Sequence, residues 1–171
     1  MSLVVVVAAG CGAAVEEAPI AMPMWVERGA VRERLAEQGY CGKSGPVRRV
    51  ESYERCKSPG LQPADSWVVV EYDREGRVQA LRRFERYASE GEATERWQTL
   101  VEARRRRHGH DSAEARTAIS DAGKVPPGTA SWLSWMREDG QVLESVYLVR
   151  PESAKDASVI EEIIVAPLPR L

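Results

Sequence analysis

Histidines are few in this 171-residue chain, and the residues able to carry out acid–base or metal chemistry are poorly spaced for it. The two histidines, His108 and His110, flank a glycine near a predicted helix end, with Asp111 beside them. A metal site needs three or four ligands, and the sequence offers no other His. Adjacent carboxylates such as Glu161 and Glu162 point to opposite faces of a strand, so they cannot share a substrate. We therefore expect no metal, no cofactor and no catalytic residue.

Composition narrows the possible partners. The chain has a net charge of -2 and a pI near 5.8, which gives no general attraction to nucleic acid. No nucleophile elbow, phosphate-binding loop or dinucleotide fingerprint is present. Hydrophobic content of 43% and charged content of 29% are typical of a soluble globular domain. An enzyme without a recognisable motif remains an alternative to a binding protein.

The N-terminal residues predict export. An apolar run from Leu3 to Ala9 has the length of a signal-peptide h-region and ends at Gly10 and Cys11. The sequence Ala8-Ala9-Gly10-Cys11 resembles the lipobox of bacterial lipoproteins. That resemblance implies that Cys11 is lipidated, that the membrane is a partner through this lipid, and that the protein lies in the cell envelope. Because Gly12 is not the Asp that signals inner-membrane retention, the resemblance favours the outer membrane, facing the periplasm or the cell surface. The alternative is an N-terminal edge strand.

The remaining cysteines, Cys41 and Cys56, form an even pair, which in an oxidising compartment predicts a disulfide. Free buried thiols are the alternative, and two cysteines without a nearby His make an incomplete metal site. The predicted organisation is a signal peptide (1–10), a lipid-anchored flexible tether (11–24), one α+β domain (25–166) and a C-terminal tail (167–171).

Hydrophobic periodicity predicts a two-layer α+β fold, with an antiparallel sheet and two helices on one face. A capping box at Ser89 and Glu92 begins the second helix, and Asp73–Gly76 forms a hairpin loop. The loops in YDREGRVQAL and WMREDGQVLE match weakly, which suggests a degenerate tandem helix-plus-hairpin repeat. The predicted helices cover 28–38 and 89–108, a short element lies around 115–119, and the predicted strands cover 47–56, 67–72, 77–84, 130–136, 141–149 and 159–165.

This element order resembles small outer-membrane barrel-assembly lipoproteins and β-lactamase-inhibitor proteins. Several strands are apolar on both faces, so the face that the two helices leave open needs another cover. The alternatives are the connection 110–129 together with the last strand, the N-terminal tether, or a partner protein bound to an uncovered part. The candidate binding residues are Trp67, Trp132, Trp135 and Tyr147. The leading hypothesis is a non-enzymatic accessory or scaffold protein that binds another envelope protein. The alternative is an inhibitor or small-ligand-binding protein of the same compartment.

A run of four arginines, Arg104, Arg105, Arg106 and Arg107, ends the second helix. One interpretation is contact with an anionic surface such as lipid phosphates. The other is structural, because cations at a helix C-terminus complement the helix dipole and the stem of Arg104 can lie over the core.

Overall fold

A computed structural model describes residues 24–42, 49–56, 65–137, 140–150 and 156–165. Within these ranges the chain forms three helices and seven strands, and the α+β prediction is confirmed. The elements in chain order are α1 (Arg28–Glu37), β1 (Tyr40–Gly42), β2 (Val50–Arg55), β3 (Asp65–Tyr72), β4 (Val78–Tyr87), α2 (Glu90–His108), α3 (Ala113–Asp121), β5 (Thr129–Met136), β6 (Val142–Val149) and β7 (Ala157–Val165).

The strands form one antiparallel sheet in the order β1-β2-β3-β4-β7-β6-β5. Its centre is the pairing of β4 with β7, in which Arg83 lies opposite Glu161 and Phe84 opposite Ile160. The strand predicted over 47–56 is β2, which has β1 on its outer side, with Tyr40 opposite Arg55. The described sheet therefore begins with the short strand β1 and ends with the eight-residue strand β5.

Local sequence signals explain the helix boundaries and the first long hairpin. The Ser89 hydroxyl accepts a hydrogen bond from the Glu92 backbone N–H at 3.2 Å, as the predicted capping box requires. The same hydroxyl donates to the Glu92 carboxylate at 3.0 Å. Helix α2 ends at Gly109, whose φ is 79°. The β3–β4 hairpin turns at Gly76, whose φ of 81° favours glycine. The short element predicted around 115–119 is α3.

Two of the helices cover one face of the sheet, as predicted. Helix α1 buries Val31 and Leu35, and helix α2 buries Leu100 and Val101. Full burial of each such side chain contributes about 1.5–3 kcal/mol. We call this side the α1/α2 face; its strand residues in these two clusters include Tyr53, Val68, Val70, Leu81, Trp135, Val146 and Val159.

The third helix packs on the other side. Ala115 and Ile119 of α3 pack with Leu143 and Tyr147 of β6, near the β5 edge of the sheet. The opposite face is therefore covered at this edge by α3, which belongs to the 110–129 connection named above as a possible cover.

The connectivity supports a tandem repeat whose unit is larger than predicted. Each half contains a helix and three matching strands, α1 with β2-β3-β4 and α2 with β5-β6-β7, while β1 after α1 and α3 after α2 have no counterpart. Counted outward from the central β4–β7 pair, the strands are β4, β3, β2 on one side and β7, β6, β5 on the other. Each half therefore runs outward in reverse chain order, which corresponds to an approximate twofold relation. The two loops that match in sequence are not equivalent in it, because one joins β3 to β4 and the other joins β5 to β6.

Cys41 in β1 and Cys56 after β2 lie at disulfide-bonding distance, with their Cα atoms 5.2 Å apart, which confirms the predicted pairing. The backbone N–H of Cys56 also donates to the Gly39 carbonyl at 2.8 Å. Both links attach β1, and with it α1, to the rest of the sheet.

The described ranges contain no helix with both the length and the apolar character needed to cross a bilayer. The predicted signal peptide, the lipidation site Cys11, the tether as far as residue 23 and the tail 167–171 lie outside the described residues.

Candidate interaction surface

An apolar row runs across the opposite face from β3 to β5. Registers place Trp67 opposite Phe84, Phe84 opposite Ile160, Ile160 opposite Tyr147, and Tyr147 opposite Trp132. The rings of Trp67 and Phe84 stack with centroids 5.0 Å apart, and those of Trp132 and Tyr147 with centroids 5.7 Å apart. Three of the four predicted binding residues thus share one row.

From Tyr147 toward β2, exposure increases along this face; on the other side of Tyr147, Trp132 at the β5 edge is half-buried. Tyr147, beside α3, is 1% exposed, whereas Trp67, Val69 and Phe84 are half-buried. Val50 on β2 is 52% exposed. We call the part formed by Val50, Trp67, Val69 and Phe84 the open surface. Apolar side chains concentrated at the less covered end of a sheet are typical of an interaction site.

Charged side chains border the open surface on two sides. The exposed Arg86 guanidinium lies 5.8 Å from the Trp67 ring centroid and 4.0 Å from the Asp65 carboxylate. On the other side, Arg82 lies between Glu71 and Glu162, at 2.5 Å from each. The result is an apolar centre with charges along its rim, the usual composition of a protein interface.

Neighbouring residues determine the protonation states of Arg82 and Tyr147. Burial would lower the pKa of Arg82, but Glu162 and Glu71 outweigh burial and raise it. Tyr147 donates to Glu162 Oε2 at 2.9 Å, and burial followed by the negative charge of Glu162 raises the pKa of this phenol. Arg82 therefore remains ionised at neutral pH, and Tyr147 remains protonated.

The fourth predicted binding residue, Trp135, lies on the α1/α2 face instead. It is 1% exposed beneath α2, and its indole N–H donates to the Gly109 carbonyl at 3.1 Å. Successive strand residues alternate in direction, so the odd spacing between Trp132 and Trp135 puts one on each face. Trp135 is a core residue and not part of the open surface.

Arg104 is also buried, while the three arginines after it are exposed. Its Nε lies 2.9 Å from Glu144 Oε2, and its Nη2 donates to Glu161 Oε1 at 3.2 Å. Arg104 therefore cannot contact an anionic surface. Arg105, Arg106 and Arg107 form no ion pair with a described residue.

Arg104 belongs to a cluster of ion pairs between α2 and the sheet, which we call the buried ionic cluster. Arg83 of β4 contacts Glu161 of β7 and lies 3.3 Å from Glu85. Arg96 of α2 donates to both oxygens of Glu85, at 2.8 and 3.0 Å. The six residues are Arg83, Glu85, Arg96, Arg104, Glu144 and Glu161, and five of them are at most 2% exposed.

These carboxylates are counter-ions and do not resemble catalytic acids. Burial would raise the pKa of Glu85, but Arg83 and Arg96 outweigh burial and lower it. Burial would likewise raise the pKa of Glu144, but Arg104 and Arg137 outweigh burial and lower it. A general acid needs a raised carboxyl pKa, which is the opposite shift. This cluster was not predicted, although the charges at core-facing positions of β4 and β7 were a signal for it.

The histidines are not brought together with further ligands. His108 Nε2 lies 3.5 Å from Glu144 Oε2, whereas His110 is exposed and Asp111 lies 3.8 Å from the Arg116 guanidinium. Within the described ranges, no group of three or more His, Cys, Asp or Glu side chains is placed to hold a metal ion.

Comparison with known proteins does not assign this surface: no family model, curated protein or solved structure matches the chain.

Proposed function

We propose that this protein is a non-enzymatic, lipid-anchored accessory protein of the bacterial cell envelope, and that it binds a partner protein through the open surface. The observation that carries the proposal is the gradient of exposure on the opposite face, from the buried Tyr147 beside α3 to Val50, which is 52% exposed. A stacked aromatic pair between these ends supplies rigid contact area, which is characteristic of binding hot spots.

The charges around the open surface define the chemistry of the partner. Arg86 is exposed and has a single weak carboxylate contact, to Asp65 at 4.0 Å, whereas Arg82 is paired with two carboxylates. A complementary protein would place apolar side chains on Trp67 and Phe84 and an acidic group opposite Arg86. Charge complementarity at such a rim controls the rate and specificity of association.

Site-specific photo-cross-linking in the native host tests the protein-binding part. A photoreactive residue at Val69 should capture one envelope protein, whereas the same residue at the exposed Gln98 of α2 should not. Arg86→Glu should reduce the Val69 product, and the matched change Arg34→Glu on α1 should leave it unchanged.

Three results would overturn this assignment. Capture of only a second copy of the chain would make the surface a dimer interface. Capture of a soluble enzyme would favour the inhibitor hypothesis. Equal products from the two positions would mean that the open surface has no specific partner.

The anchor depends on the lipobox resemblance and is tested separately. Mass spectrometry of the protein isolated from its host should give a lipid-modified Cys11 as the first residue. The Cys11→Ser variant should lose the lipid and leave the membrane fraction. An unmodified N-terminus that retains residues 1–10 would contradict the anchor without affecting the open surface.

A further inference from the structure

One end of the sheet collects features that suit a membrane surface. The antiparallel strand directions place the β3–β4 hairpin (73–77), the end of β5 and the start of β6 at this end. Helix α1 begins here and α2 ends here, because Glu27 bridges to Arg77 and His108 reaches Glu144 near the start of β6. We call it the hairpin end.

Three exposed arginines lie at the hairpin end. Arg105, Arg106 and Arg107 occupy the last turn of α2, directly after the buried Arg104. None of the three forms an ion pair with a described residue. Their positive charge is therefore not neutralised within the described fold and is available to an external anion.

Trp25 adds an exposed aromatic ring at the same end. It is 43% exposed and has a φ of 67°, which a non-glycine residue rarely adopts. Its conformation is fixed by pairing with β4, since Trp25 N–H donates to the Val78 carbonyl and Val78 N–H donates to the Val26 carbonyl, each at 3.0 Å. The Arg77 guanidinium, which also pairs with Asp73 at 3.0 Å and Glu75 at 3.5 Å, lies 5.8 Å from the Trp25 ring centroid. An indole held outward beside a cation matches the Trp and Arg pairs of membrane interfaces.

The arginines at the end of α2 and the ring of Trp25 are close enough to contact the same membrane surface. The segment around Trp25 joins β4, and the end of α2 lies over the start of β6, two strands away. Two strand spacings correspond to about 10 Å. Trp25 is 14 residues from Cys11 (25 minus 11), and a fully extended chain of that length spans about 50 Å. A lipid at Cys11 would therefore keep Trp25 within about 50 Å of the bilayer.

We propose that the hairpin end faces the bilayer, with Arg105, Arg106 and Arg107 contacting the phosphates of anionic phospholipids and Trp25 lying among the headgroups. This inference rests on the proposed lipid anchor. It also defines the orientation of the domain, since the strands would then run roughly perpendicular to the membrane. The open surface, which is part of a sheet face, would also be perpendicular to the membrane plane.

Vesicle binding by the full chain with Cys11→Ser tests the contact without the lipid. Vesicles of phosphatidylcholine alone measure the contribution of the N-terminal apolar residues, and vesicles that also contain phosphatidylglycerol measure the added effect of anionic headgroups. Replacing Arg105, Arg106 and Arg107 by Gln should weaken binding to the anionic vesicles about 100-fold, at about fivefold per arginine. Binding to the neutral vesicles should not change.

A matched variant controls for total charge. Arg34, Arg86 and Arg150 are exposed and lie at the other end of the sheet, so their replacement by Gln should leave anionic-vesicle binding within about twofold. Equal losses in the two triple variants, or no loss in either, would overturn the proposal. Preferential binding of an acidic protein to the Arg105–Arg107 end, with no vesicle binding, would also overturn it.

Trp25→Gly separates a membrane role from a structural one. Glycine adopts a φ of 67° without strain, so this variant should be no less stable to urea than the unmodified chain, and should bind anionic vesicles less tightly. Loss of stability with unchanged binding would contradict the role of Trp25. Because these measurements omit the lipid, their failure is distinguishable from failure of the anchor, which the mass of the native N-terminus decides.

Discussion

Arg104 and Arg105 are adjacent arginines, and the structure predicts opposite consequences for their loss. Arg104→Met keeps much of the side-chain volume but removes one of the three guanidinium groups of the buried ionic cluster. The three carboxylates, Glu85, Glu144 and Glu161, are each 1% exposed, so they cannot be compensated by water. Removing one partner of a buried ion pair destabilises a protein by about 3–5 kcal/mol.

Arg137 and Arg83 moderate the effect of this substitution. Arg137 Nε stays 2.6 Å from Glu144 Oε1, and Arg83 still contacts Glu161. We therefore expect the lower end of that range, about 3 kcal/mol. Arg105→Met removes an exposed charge and should change the free energy of unfolding by no more than about 0.5 kcal/mol. Urea unfolding followed by tryptophan fluorescence measures both values.

The pH dependence gives an independent check. The folded-state pKa of Glu144 is lowered by Arg104 and Arg137 against the effect of burial, so its ionisation stabilises the fold above the unfolded-state pKa of about 4.3. That stabilisation is lost as pH falls through the folded-state pKa. The difference between Arg104→Met and the unmodified chain should therefore be largest near neutral pH and shrink below about pH 4. Equal stability of the Arg104 and Arg105 variants at neutral pH would refute the assigned role of the cluster.

Three further predictions concern other parts of the fold. Cys56→Ser should lower the free energy of unfolding by about 3 kcal/mol, because it opens a 15-residue loop, and a reductant should remove the difference in urea titrations. Gly128→Ala should lower the thermal midpoint, since φ is 77° and a Cβ would lie 2.9 Å from the Arg150 carbonyl oxygen; an unchanged midpoint would contradict this geometry. Burial, together with neighbouring arginines, lowers the pKa of His108 despite the opposing effect of Glu144. The unfolded chain therefore takes up the proton first as pH drops, and the free energy of unfolding falls as pH drops through about 6.5. His108→Gln should flatten this part of the plot of unfolding free energy against pH.

Elements with strong local signals could be predicted from the sequence. The β3–β4 hairpin has alternating apolar residues and a glycine at the turn, and α2 has a capping box and a terminal glycine; each forms where the pattern placed it. The two-residue period of a strand places the side chains of Trp67 and Val68 on opposite faces of the sheet, and the structure confirms this placement.

The parts that depend on distant pairing could not be read from local patterns. The β4–β7 pairing joins residues such as Arg83 and Glu161, which are far apart in sequence, and only this pairing reveals that their charges meet. Because Arg and Glu were assumed to face solvent, the buried ionic cluster was not predicted. The open surface was partly predicted: Trp67 was identified, but Phe84 and Arg86 were missed because their role depends on which part of the sheet α3 covers.

The position of β7 has a consequence for how the chain reaches its native state. Strand β7 lies between β4 and β6, so within the described sheet the two halves share no backbone pairing until this strand has been synthesised. Premature termination before residue 157 would remove the middle of the sheet and leave two unpaired edges, at β4 and β6. Completion of the sheet therefore waits until residues 157–165 have been synthesised.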